Sequence, residues 1–356
     1  MTPLTGALPV VLTPFTTGGA VDHAALARYT DWLIERGASG LFAVALSGEM
    51  YELSSVERVE VTRTVVASAA GRVPVAAAAL GEGTTASLGA EVAALAAAGA
   101  DIVVLVVSAI LSEKDDEQTL HEVAAAVIAA NPAVDLGLYE CPLPHHRLVS
   151  LEGLDRLART GRFVFLKETS HDVDVMRERV RVGAPHGLRV FNAGIENYAE
   201  SLAVGVSGLS GWVVNVAPDA VAALTRTVLT DGVTPVALSL QRALTDVEQS
   251  MSPTYPSSAK AVVNERGGVG PRAGIALAAV RGRHPAGAPC CARTRSAHLG
   301  RCSPVSCAHG AGATGRESAS RALLPRRRED RPLPRHRERA GFPAGGLGGV
   351  DDDPRR

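Results

Sequence analysis

The chain has 356 residues, 46% of them apolar and only 4% aromatic, and its formal charge is −1. Such a length is ample for one large domain with a substantial core. No apolar run reaches the roughly 20 residues needed to cross a bilayer, and Met1-Thr2-Pro3-Leu4-Thr5 lacks the basic flank of a signal peptide, so the expectation is a cytoplasmic enzyme with no membrane partner.

Residues 1–233 alternate short apolar runs with helical patterns. The runs predict strands at 8–12, 40–45, 73–78, 102–107, 135–139, 163–167, 189–192 and 208–213. Helices are expected between them, near 22–36, 54–70, 84–98, 115–130, 150–160, 172–182, 196–204 and 217–230. Asp22 is a good N-cap for the first helix, and Ser54 with Glu57 makes a capping box. Gly37, Gly71 and Gly99 stand where helices would end. Strands apolar on both faces and separated by helices imply a parallel sheet with right-handed crossovers. Eight such units predict an α/β fold of the closed (β/α)8 TIM-barrel type. An open doubly wound sheet would show a glycine-rich phosphate turn after its first strand, whereas this chain has Thr13-Pro14-Phe15-Thr16 there.

Two further helices, 234–250 and 257–266, form a C-terminal helical extension. After Arg266 the periodicity stops. Residues 267–356 hold 17 Arg, no Lys and seven acidic residues, a local charge of +10 that leaves −11 on residues 1–266. Four of the five cysteines, Cys290, Cys291, Cys302 and Cys307, also fall in this stretch. It offers too little patterned apolar surface to offset ordering entropy. The reading is a disordered tail, or a shifted reading frame in a GC-rich gene; nucleic-acid binding through its arginines is the weaker alternative.

Lysine usage carries the chemical signal. Only three lysines stand against 33 arginines, so where a cation alone is needed this chain uses Arg. Lys167 ends the apolar run Phe163-Val164-Phe165-Leu166. A neutral amine there can attack a carbonyl and form an imine, which a guanidinium cannot do. By contrast Lys114 sits among Glu113, Asp115 and Asp116 in a solvated turn, and Lys260 lies on the last helix without an apolar approach. Active sites of these barrels lie at the C-terminal ends of strands. Those ends read Ala45-Leu46-Ser47-Gly48-Glu49, Tyr139-Glu140-Cys141-Pro142, Lys167-Glu168-Thr169 and Gly208-Leu209-Ser210-Gly211. Neighbouring strands would end in Tyr139 and Lys167, placing a proton-shuttling phenol beside the amine.

In this order and spacing, residues 6–266 resemble the family of dihydrodipicolinate synthase and N-acetylneuraminate lyase, pyruvate-dependent class I aldolases. The segments that carry the resemblance are Leu12-Thr13-Pro14-Phe15, Ser47-Gly48-Glu49, Leu138-Tyr139 with Pro142, Lys167-Glu168-Thr169 and Gly208 through Asn215. The resemblance implies that Lys167 forms the Schiff base with a 2-oxo acid and that Tyr139 relays protons. It further implies that Ser47 and Gly48 hold the substrate carboxylate, that Ser210 offers a main-chain contact, and that no metal or organic cofactor is needed. A pyruvate-like 2-oxo acid, an aldehyde partner and a homo-oligomer, tetramer or dimer, are also implied.

Departures from the family pattern are equally informative. Leu46 stands where the loop's first hydroxyl is expected, and Ser108-Ala109-Ile110-Leu111 lacks the tyrosine that synthase members contribute across a subunit interface. Pro144 replaces an arginine that clamps a second carboxylate, so true dihydrodipicolinate synthase activity is not expected. Glu140, His145 and His146 are the candidates to take over that arginine's place. Cys141, His145 and His146 have no recognised zinc spacing. His171-Asp172 fits a helix cap. A non-catalytic relative that only binds a 2-oxo acid is the alternative function.

Overall fold

Eight short parallel strands follow one another around a sheet in the order β1-β8-β7-β6-β5-β4-β3-β2. They are β1 (Gly6–Ala7), β2 (Leu41–Ala43), β3 (Val75–Ala79), β4 (Ile102–Val106), β5 (Asp135–Tyr139), β6 (Phe163–Glu168), β7 (Arg189–Asn192) and β8 (Gly208–Leu209). A parallel bridge between Val10 and Phe42 joins the first segment to β2 and closes the ring. This is the expected (β/α)8 barrel, and the computed structural model describes residues 4–267 of it.

The first and last strands depart furthest from the sequence reading, while the others shift by at most two residues at an end. The first strand covers Gly6–Ala7 rather than 8–12, because Pro9 has no N–H to give to a ladder and the Val10 N–H is taken by the Asn215 side chain at 2.8 Å. The last strand stops at Leu209 rather than 213, and the chain turns into a 3-10 segment at Val213–Asn215. At Gly208 a Cβ would lie 2.2 Å from the Gly6 carbonyl oxygen, so the β1–β8 contact requires glycine.

The caps behave as read. Asp22 accepts from the Ala25 N–H, and Ser54 with Glu57 forms a complete capping box. Around the barrel run α1 (His23–Glu35), α2 (Ser55–Ala69), α3 (Thr85–Ala97), a four-residue α4 (Val107–Ile110), α5 (Glu117–Ala130) and α6 (Leu151–Ala158). They are followed by α7 (Val173–Gly183), α8 (Tyr198–Ala203) and α9 (Pro218–Asp231). The extension folds as α10 (Pro235–Met251) and α11 (Ser257–Glu265), and its Ala237, Leu244, Met251, Ala259 and Val263 enter the same core as the barrel helices. The tail beyond Gly267 and its four cysteines lie outside the described residues.

Inside the barrel, Phe42, Phe165 and Phe191 are fully buried and pack in series, Phe42 edge-on to Phe165 at 5.7 Å between centroids and Phe165 tilted against Phe191 at 5.3 Å. Burying each ring is worth roughly 1.5–3 kcal/mol. A register shift where β5 meets β6 pairs Leu136 with Phe163 and Gly137 with Phe165. Beyond the shift the strands alternate strictly, so Phe165 and Lys167 share the inward face, as do Gly137 and Tyr139. A one-residue slip there would turn the lysine outward.

Candidate active site

Lys167 lies directly opposite Tyr139 in the β5–β6 ladder, as the strand ends predict. Its Nζ sits 4.6 Å from the centroid of the Tyr139 ring and 5.7 Å from that of Phe42. The side chain thus stands on the aromatic floor of the barrel and is only 5% exposed. Burial strips water from the ammonium and lowers its pKa from 10.5 to about 8, against the pull of Cys141 and Glu248. Burial likewise raises the Tyr139 phenol, which therefore stays protonated.

The loop after β2 is wound tightly under this pair. Val44 has φ 47 and Glu49 φ 59; a β-branched residue in the left-handed region is strained and needs surrounding structure to hold it. Between them Leu46–Gly48 forms one 3-10 turn. A Cβ on Gly48 would lie 2.8 Å from the Val11 carbonyl oxygen, and the Gly48 carbonyl accepts the Thr13 hydroxyl at 2.7 Å. Ser47 is buried and hydrogen-bonds the Tyr255 hydroxyl. Opposite, Ser210 is fully buried and its Oγ has no hydrogen-bond partner among the described residues. An orphaned buried hydroxyl costs about 1–3 kcal/mol, which a ligand's polar group would relieve.

The extension supplies residues that the linear reading missed. Tyr255, just before α11, stacks on Trp212 at 4.2 Å, and its hydroxyl accepts from Asn215 at 2.7 Å. Lys260 on α11 corrects the reading of a lysine without apolar surroundings: it is buried, ion-paired with Glu49 and set 4.9 Å over the Phe15 ring. Glu248 on α10 accepts the Val213 N–H at 2.8 Å, and burial pushes its carboxyl up to about 7. The rarity of lysine marked Lys260, but its partner is 211 positions away.

Glu140 does not line the mouth as anticipated. It is fully buried, paired with Arg179 at 2.7 Å, and accepts the Val149 N–H at 2.8 Å. Arg179 also holds Glu168 at 2.9 Å, so this trio braces the strand ends from behind. His145 meets the Leu111 carbonyl at 2.6 Å, and His146 the Thr169 hydroxyl at 2.8 Å. Glu140, turned inward onto Arg179, is thereby withdrawn from the place of the arginine absent at Pro144. His171 pairs with Glu196 at 2.7 Å while Asp172 caps α7. Among the described residues no group of three His, Cys, Asp or Glu side chains converges on a metal position, and no helix is long and apolar enough to cross a membrane.

A family model described as the dihydrodipicolinate synthetase family matches residues 3–272. A 4-hydroxy-tetrahydrodipicolinate synthase of Hyphomonas neptunium is 32% identical over 279 residues, 77% of this chain and 92% of that protein. Among solved structures, a dihydrodipicolinate synthase of Bacillus anthracis superposes with a TM-score of 0.69 at 23% identity, covering 76% of this chain and 90% of that one. A second, the chloride-inhibited dihydrodipicolinate synthase of Acinetobacter baumannii complexed with pyruvate, gives 0.67 at 24% identity, covering 75% and 90%. At those identities the superpositions speak for the fold.

Proposed function

The chain belongs to the dihydrodipicolinate synthetase family, and from that premise we propose that it is a Schiff-base aldolase, lyase or dehydratase acting on pyruvate or a related 2-oxo acid. The observation that carries the reading is the buried Lys167 amine 4.6 Å over the Tyr139 ring, with a pKa brought down to about 8. At pH 7 roughly one such amine in ten is neutral, against fewer than one in a thousand at the ordinary value. The neutral nitrogen attacks C2 of the 2-oxo acid. Tyr139 gives a proton to the departing hydroxyl, water leaves, and the protonated imine forms. That imine then acts as the electron sink for proton loss or carbon–carbon cleavage, so the protein needs no organic cofactor for these steps.

Ser47 and Ser210 are proposed to receive the substrate carboxylate at the Gly48 turn, whose own N–H is held by the Ala45 carbonyl at 2.8 Å. The strained turn aims the loop at that position, Gly48 admits close backbone approach, and the orphaned Ser210 hydroxyl seeks a partner. For the second substrate we propose an aldehyde without a carboxylate, which makes true dihydrodipicolinate synthase activity unfavoured. Pro144 offers no cation, and Glu248 on the Lys167 side adds a further acid rather than a base. The proposed assembly is a homo-oligomer of two or four chains, which light scattering measures directly.

The central test is reductive trapping. Incubation with pyruvate and borohydride should add one reduced adduct, mapped to Lys167 by peptide mass spectrometry and lost in Lys167→Ala. An unmodified Lys167 in folded protein would sink the proposal. An acceptor panel then separates neutral from carboxylated aldehydes, and trapping without turnover on any of them would favour the purely binding relative.

A further inference from the structure

The barrel interior ends in an apolar half-rim. On β3, Ala76 and Ala78 point into the barrel, and Leu80, two residues on, packs against the same interior cluster. On β5 that cluster takes Tyr139 and Cys141, and Leu143 joins it from the loop beyond. Leu46, on the turn after β2, is the third leucine of the set. All three are half-buried and follow the C-terminal ends of their strands, so each keeps an apolar surface at the mouth. The other partly buried residue of the cluster, Val164, lies near the start of β6, at the opposite end of the barrel. Leu143 is fixed in place, because its carbonyl accepts the Tyr51 and Ser108 hydroxyls, each at 2.7 Å. Charged neighbours are engaged elsewhere: Glu49 by Lys260, Glu140 by Arg179, and Arg147 by the Ser112 and Asp115 carbonyls at 3.0 and 2.7 Å. Across the mouth, the β6–β8 side is polar and paired with itself, His171 with Glu196 at 2.7 Å and Asn192 with Asn197 at 2.8 Å.

We propose that the acceptor is an apolar aldehyde whose aliphatic or aromatic group seats on Leu46, Leu80 and Leu143, an assignment that rests on the Schiff-base reading of Lys167. Tyr139 belongs to the cluster beneath these leucines, and the Lys167 amine stands 4.6 Å from the centroid of its ring. A 2-oxo acid joined to that nitrogen therefore has the leucine rim beside it. Loss of a C3 proton from the imine gives the enamine. Its C3 forms a carbon–carbon bond to the aldehyde carbon, the C=O π bond opens, and the oxygen regains the proton lost from C3. Water then hydrolyses the imine, freeing Lys167 and a 4-hydroxy-2-oxo acid. Seating a hydrocarbon group on the rim removes apolar surface of both partners from water. A hydroxyl or carboxylate placed there would shed its hydration against three hydrocarbon side chains.

Wild type is first trapped with pyruvate and borohydride, and a reduced adduct is expected. Condensation with pyruvate is then followed by proton NMR for propanal, butanal, pentanal and hexanal, which differ only in apolar length, and for glyceraldehyde and succinic semialdehyde. The ratio kcat/KM should rise roughly fourfold per added methylene, about 60-fold from propanal to hexanal, with glyceraldehyde and succinic semialdehyde below hexanal. Leu80→Asn and Leu143→Asn should each flatten the series to less than about twofold per methylene. That slope compares substrates within one protein, so it does not depend on the fraction that folds. A flat wild-type series, faster turnover of glyceraldehyde or the semialdehyde than of hexanal, or an adduct without condensation on any aldehyde would overturn the apolar acceptor alone. So would an undiminished slope in both variants. Absence of an adduct in the wild type would overturn the Schiff-base reading and this assignment with it.

Discussion

Replacing Lys167 with Met should abolish imine trapping and also make the protein more stable. The lysine is 5% exposed on a floor of Phe42 and Tyr139 rings, and burial lowers its pKa from 10.5 to about 8. At 1.36 kcal/mol per tenfold change in proton affinity, the folded protein carries about 3 kcal/mol of cost whenever the amine is charged. The sign follows from proton uptake. Below about pH 8 the ammonium is charged in both states, so the full cost falls on the fold. Between about 8 and 10.5 the folded amine is neutral while the unfolded one still binds a proton. Wild-type stability therefore rises with pH across that window. Methionine fills similar space without a charge, so Lys167→Met should gain about 3 kcal/mol at pH 7, and the gain should fade as pH approaches 10.5. Urea denaturation of both proteins at pH 7, 9 and 10.5 measures this. No gain at pH 7, or a gain equal at all three pH values, would show that desolvation does not hold the amine's pKa down.

Four other outcomes follow from the same geometry. Imine formation with pyruvate should rise about tenfold per pH unit below 7 and level off above about 8, since the neutral amine is the nucleophile. Glu248→Gln removes a carboxylate that stabilises the Lys167 ammonium, so the midpoint of that profile should move to lower pH; stopped-flow trapping at fixed pyruvate reads the shift. Arg179→Met leaves Glu140 and Glu168 buried without their cation and should cost about 3–5 kcal/mol in denaturant unfolding. Lys260→Met strands Glu49 beside the strained loop. A loss of about 2–4 kcal/mol should come with weaker pyruvate binding by calorimetry, whereas a drop in stability with unchanged affinity would argue that the pair does not support the Ser47–Gly48 turn.

Much of the architecture is written in short stretches of the chain, because local signals report local physics. Apolar runs of five or so residues between amphipathic stretches can be satisfied only by buried parallel strands, so the eight-unit barrel was legible. Tyr139 and Lys167 could be paired from their positions at adjacent strand ends, since barrel order is chain order there. Where a strand met a competing donor, as Val10 meets Asn215, periodicity could not foresee the break. The remaining features arise from long-range packing. It turned Glu140 away from the mouth to neutralise Arg179, brought Tyr255 and Lys260 back across the barrel to the loop around Ser47, and set Glu248 against the Val213 N–H beyond β8. These contacts join residues up to 211 positions apart. Burial, and with it the pKa of an amine, is set by what the whole chain packs around the group, which no window of neighbouring residues contains.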